Sequence, residues 1–165
     1  MSFAFTRSKL RRAVCSTLLL AVAVACTTAT APLRELFGVR TGMRKTAVHA
    51  KLAAIGTLVR EERKRQEAWE VSNDPRWRGA LVGYDKEWEV RFITAVAKEN
   101  GTRVRYAEVL DLAHAEHQQA GPSHTYRWKP PHARYTIIAI GNDPEVLTYL
   151  TLSSTSREEE EEEED

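Results

Sequence analysis

Past residue 26 the sequence contains no cysteine, because Cys15 and Cys26, the only two, both lie in the N-terminal segment. No intramolecular disulfide can hold the body of the protein, so its core must suffice alone in any redox compartment. Long apolar runs are also scarce. The N-terminal one, Ala13 to Ala25 (AVCSTLLLAVAVA), is 13 residues long, whereas a helix crossing a ~30 Å hydrocarbon layer needs about 20. A glycine-rich phosphate cradle and a G-x-S-x-G nucleophile elbow are missing. Ser153, Ser154 and Ser156 fall in a polar C-terminal stretch without such an elbow, and Asp74 and Asp85 sit where Asp bonds a turn backbone. A dense basic stripe is absent too. Between residue 27 and the acidic end the chain carries 20 basic and 15 acidic residues, which is not the footprint of a nucleic-acid binder.

What is present fits one domain. The chain has 165 residues, 42% of them apolar, with four Trp, five Tyr and four Phe that can each bury ~150 to 250 Å². Its ends differ sharply from its body. Arg7, Lys9, Arg11 and Arg12 precede the apolar run, and small polar residues follow it (CTTATAP), which is the three-part layout of a secretory signal over 1–25. Ala23-Val24-Ala25 before Cys26 satisfies ordinary signal cleavage. The same stretch resembles the lipobox of bacterial lipoproteins, in which the Cys after the cut is acylated. That resemblance implies an anchor at Cys26 and, with Thr27 rather than Asp following, the periplasmic face of the outer membrane; simple secretion to the periplasm stays open. Several acyl chains at ~0.8 kcal/mol per CH₂ would hold the protein to a bilayer. Residues 26–37 read as a tether, 38–154 as the folded domain, and 155–165 as a disordered acidic tail, since eight consecutive acids from Glu158 to Asp165 offer no apolar surface to offset ordering.

Within the domain, Met43, Ala47, Val48, Leu52 and Ile55 gather on one face of a helix predicted over Thr41 to Ile55, stopped by Gly56. Arg60 to Gln66 is a charge run expected to be a loop or edge. Trp69 and Val71 alternate as a strand does, and Leu81 to Tyr84 with Glu89 to Val96 predict a hairpin around Asp85, Lys86 and Glu87. The order then recurs. Tyr106 to Gln119 has helical register with Gly121-Pro122 as its stop, and strands are predicted at Thr125 to Lys129, Arg134 to Ile140 and Val146 to Leu152. The segments GYDKEWEVRFITA and AIGNDPEVLTYLTL share a strand, an acidic turn, Glu-Val and a second strand. The expected fold is therefore α+β, helices packed on an antiparallel sheet, with two tandem αβββ units as its simplest plan.

Gly38-Val39-Arg40-Thr41-Gly42-Met43, followed by Val48 and Leu52, resembles the opening of SmpA/BamE-like outer-membrane lipoproteins and of the β-lactamase inhibitory protein group. The resemblance covers mainly residues 38–56. It implies a helix introduced by Gly-Met against an antiparallel sheet, action by binding other proteins, and no catalytic residues. Two positions depart from it: Arg44 stands where that family has a Ser or Thr N-cap, leaving Thr41 upstream as a substitute, and Trp88 stands where a hairpin Gly is expected.

Two constellations remain as candidate sites. Asp111, His114 and His117, spaced by three on the second predicted helix with His124 beyond, would fan over an arc of about 120° and could share a metal; a solvent-facing polar stripe has the same spacing. Trp77 and Trp88, beside Arg76, Arg78 and Lys86, have the make-up of a partner-binding hot spot at a sheet rim. The sequence thus points to an exported, lipid-anchored, non-catalytic interaction module with a membrane and an envelope protein as partners, no nucleic acid and no cofactor. The alternative is a metal-dependent envelope hydrolase built on His114 and His117.

Overall fold

The structure, a computed structural model, describes residues 32–62 and 65–155. The expected signal segment over 1–25, Cys26 and the run from 156 onward lie outside those residues. Within them, α1 (Lys45–Leu52) leads into β1 (Gly56–Glu62), β2 (Gln66–Val71), β3 (Trp77–Tyr84) and β4 (Val90–Ala97). Then α2 (Tyr106–Val109) leads into β5 (Glu116–Ala120), β6 (Ser123–Trp128), β7 (Tyr135–Gly141) and β8 (Tyr149–Ser154). All eight strands join one antiparallel sheet in the order β1-β2-β3-β4-β8-β7-β6-β5. Each half of the chain is a meander of four strands, and the halves meet where β4 pairs with β8.

This corrects the expected fold class. The described residues form one broad sheet with two helices of eight and four residues, not helices packed on a sheet of αβββ units. The first helix stops short because Gly56 already opens β1 against β2. A Cβ there would lie 2.0 Å from the Glu70 carbonyl oxygen, so the close strand approach requires glycine. The second predicted helix, Tyr106 to Gln119, is overturned over most of its length. Leu110 is extended at φ −129°, ψ 149°, Asp111 accepts the backbone N–H of Ala113 at 3.2 Å, and Glu116 to Ala120 pair with β6. A helical period over 14 residues loses here to a hairpin whose tight Gly121-Pro122 turn, with Gly121 at φ +59°, satisfies the backbone groups in a ladder.

Residues directly opposite one another share a face, so the register sorts the side chains. One row runs Glu67, Val82, Ile93, Leu152, Ile137 and Trp128; the next runs Trp69, Ala80, Ala95, Leu150, Ala139 and Tyr126. This face is the core. It is buried together with Val48 and Leu52 of α1, Tyr106 and Val109 of α2, and Leu36, Val39, Val104 and Leu110 of the connecting segments. The other face carries Leu81, Thr94, Thr151 and Ile138 in one row, Phe92, Ser153 and Thr136 in another, and Val96, Tyr149 and Ile140 in a third. None of these side chains is buried, so among the described residues no element covers that face.

Neither helix has a side-chain N-cap. Each instead borrows a carbonyl from the turn between the last two strands of its own meander: Lys45 N–H donates to Trp88 O at 2.9 Å, and Tyr106 N–H to Glu145 O at 3.1 Å. Those turns are fixed by aspartates, since Asp85 accepts the N–H groups of Glu87 and Glu89, and Asp143 those of Glu145 and Val146. The missing Ser or Thr cap at Arg44 is thus made good by tertiary contact rather than by Thr41.

Candidate functional site

Where α1 crosses the edge of the core face, a carboxylate is buried among donors. Glu67, 1% exposed, is the one buried charged side chain among the described residues. Lys45 Nζ lies 2.7 Å from its Oε1, and His49 Nε2 lies 2.8 and 2.9 Å from its two oxygens. The Tyr84 hydroxyl donates to Oε2 at 2.8 Å, and Trp69 Nε1 adds a longer contact at 3.4 Å. Lys45 and His49 are four apart on α1 and so reach down together. Trp69, Tyr84 and Glu67 come from β2 and β3 on the same face.

Burial by itself would push the Glu67 carboxyl up, but hydrogen bonds from Lys45, His49 and Tyr84, with the charge of His49, outweigh it and hold the pKa below the ordinary glutamate value. A carboxyl whose pKa is lowered by folding stabilises the native state fully above its unfolded pKa, and that contribution is lost as pH falls through the folded value. Stability of the protein should therefore drop below about pH 4.3. Urea midpoints measured from pH 7 to 3 check this, and in Glu67→Gln the part of the acid-limb slope due to this group should vanish.

Trp88 roofs the cluster. Its ring centroid is 4.7 Å from Lys45 Nζ and 6.1 Å from the Tyr84 ring, an arrangement that favours the ammonium beside its carboxylate. Trp88 is 44% exposed and has φ +60°, the left-handed conformation in which glycine is favoured and a side chain costs about 1 to 2 kcal/mol. The hairpin position does require glycine-like backbone, and the indole is carried there against that cost.

The predicted rim cluster of Trp77, Trp88, Arg76 and Arg78 is not assembled. Trp77 is 4% exposed and packs edge-on against Phe37 at 6.4 Å, which makes it core. Trp77 and Trp88 flank opposite ends of β3, whose eight residues span roughly 23 Å. Arg76 and Arg78 form surface pairs with Asp74 and Glu99. Trp88 alone of the four belongs to the Glu67 cluster.

The predicted Asp111, His114 and His117 set is likewise divided. Among the described residues no three His, Cys, Asp or Glu side chains are placed to hold a metal ion. His114 Nδ1 meets Asp111 Oδ2 at 2.8 Å in the turn after α2, while His117, on β5, contacts His124 and Tyr126. The place on α2 matching Lys45, first in its helix, is taken by Tyr106. Its buried hydroxyl has no partner among the described residues, and burial, with Tyr126 and Asp143 nearby, pushes the phenol up to about 12.

Sequence reasoning passed over Lys45, His49 and Glu67. One signal was there: extending the alternation of Trp69 and Val71 back by one step puts Glu67 on the same inward face. A carboxylate in a core row demands donors, and an i, i+4 pair of Lys and His on a neighbouring helix is where to look for them.

No protein-family model matches the chain, and no curated protein matches it. Among solved structures, it is similar to the crystal structure of a DUF4309 family protein, YjgB, from Bacillus subtilis subsp. subtilis str. 168. The TM-score is 0.52 at 13% identity, and the match covers 74% of this chain and 86% of that one. At that identity the likeness is one of fold, and in fold this chain is similar to that protein.

Proposed function

We propose that this chain is an exported envelope protein, anchored through acylated Cys26, that acts as a non-catalytic protein-interaction module. The observation that carries the reading is the open face of the sheet. Its centre, around the Thr94–Thr151 hydroxyl contact of 2.9 Å, is uncharged, and half-buried Leu81, Phe92, Val96, Ile138 and Ile140 surround it with exposed Tyr149. A continuous, partly apolar surface of this kind on a soluble domain is commonly an interaction site. The resemblance of residues 38–56 to SmpA/BamE-like lipoproteins and β-lactamase inhibitory proteins, which bind other proteins, supports the same reading. The buried Glu67 cluster ties α1 to β2 and β3 on the opposite face of the same sheet.

Two arms of one experiment in intact cells test the proposal. Cys26→Ser should move the protein from the membrane to the soluble fraction. A photo-crosslinker at Thr151 should give one discrete envelope adduct that Tyr149→Arg abolishes. Retention of Cys26→Ser in the membrane would remove the anchor from the reading, and no adduct from the open face would remove the module.

A further inference from the structure

A pair of imidazoles stands apart from the site above. On the β5–β6 hairpin, His117 pairs directly with Tyr126 and His124 with Gln119, so the two histidines are diagonal neighbours on one face. His117 Nε2 lies 3.2 Å from His124 Nδ1. The ring planes differ by 7° with centroids 5.4 Å apart, close to the largest separation that so short an N–N distance permits, so the rings meet edge to edge with nitrogens facing. His117 is held from behind by the Tyr126 ring, stacked at 4.4 Å and 19°, and Tyr126 in turn rests on buried Tyr106 at 4.5 Å. The spacing is therefore set by a short hairpin and an aromatic stack rather than by free side chains.

The chemistry of the pair differs from that of His49 and His114. Those two each have a carboxylate, Glu67 or Asp111, at 2.8 Å, whereas among the described residues no carboxylate lies within ion-pairing distance of His117 or His124. A single cation can accept electron pairs from two imidazole nitrogens that face each other at this distance.

We propose that His117 and His124 form a two-imidazole site for a late first-row divalent metal ion, with copper(II) held more tightly than zinc or nickel. A metal at 2.0 to 2.1 Å from two cis nitrogens sets them roughly 2.9 to 3.4 Å apart, and the pair already has that separation. A small swing of the two rings about their side-chain bonds turns both lone pairs toward a common point. Remaining positions on the ion go to water, which makes the site open and exchangeable. Calcium and magnesium, which require oxygen donors, are excluded. Binding competes with protons, so it weakens as pH falls.

The test uses metal-free protein in its processed, folded form with copper(II) and zinc(II) salts as probes, followed by calorimetry, copper electron paramagnetic resonance and thermal midpoints. Expected are one saturable site, hyperfine structure from two nitrogens, and a metal-dependent rise in midpoint. His117→Gln and His124→Gln should each weaken copper binding at least about tenfold, while His114→Gln leaves it unchanged. Unperturbed circular dichroism in each variant separates ligand loss from unfolding. Absence of saturable binding overturns the proposal. So does binding that survives in the His117→Gln/His124→Gln double variant, which would assign the metal to the acidic C-terminal run or elsewhere, and so does binding lost in His114→Gln.

Discussion

Glu67→Ala should lower folding stability by about 3 to 5 kcal/mol, the range for breaking a buried ion pair by removing one partner. The size follows from what remains. Lys45 Nζ, His49 Nε2 and the Tyr84 hydroxyl all direct donors at a carboxylate that is 1% exposed, and the substitution takes that shared acceptor from all three at once. Lys45 also sits beneath the Trp88 ring, with its side chain 25% exposed. The partner change separates the loss of an interaction from the stranding of its remnants. Replacing the set together, with Lys45→Met, His49→Leu and Glu67→Met, should recover a large part of the loss, because apolar groups of similar volume leave no charge uncompensated. Urea unfolding at pH 7 reads both. A Glu67→Ala protein within about 1 kcal/mol of the parent, well under that range, would mean the cluster is solvated and contributes little.

Leu150→Ala should be comparably damaging, at the upper part of the ~2 to 5 kcal/mol range for a core leucine. Leu150 is fully buried on β8, and its cross-strand partners on either side are Ala95 and Ala139, with Ala80 one strand further. It is the one bulky side chain in the middle of an alanine row. The row keeps the sheet shallow there, so the covering segments can seat their own side chains, and Leu150 fills what is left. Neighbouring alanines cannot extend into a void, so the cavity stays close to full size. Leu150→Met, which nearly conserves volume, should cost less than about 1.5 kcal/mol. Thermal and urea unfolding of both variants check the pair, and equal losses would show that the site collapses or that volume is not what matters.

Most of the strands were legible. Alternation marked Trp69 with Val71, the hairpin across Asp85, and the three strands after Gly121, because a half-buried sheet repeats every two residues whatever its partners are. The helices were read too long for a related reason. Apolar residues three and four apart fit one side of a helix, but from Leu110 onward the Asp111 turn and the β5–β6 ladder satisfy the backbone better, and a periodicity scan weighs no such competitor. The rim cluster failed differently. Arg76, Trp77, Arg78 and Trp88 are near in sequence, yet an extended strand carries its two ends far apart, and Trp77 turns inward.

By itself the sequence determined that the domain folds without sulfur bridges, that it is strand-rich after residue 56, and that turns close at Asp85, Gly121 and Asp143, since composition and local backbone preference act within a few residues. Tertiary structure alone decided that β4 lies against β8, that one face stays open, that turn carbonyls start both helices, and that Lys45, His49 and Tyr84 converge on Glu67 from 17 to 22 positions away along the chain. The reason is that desolvation and pairing depend on which strand lies alongside. Neighbours in space, not in sequence, supply the donors that allow a buried carboxylate to remain charged.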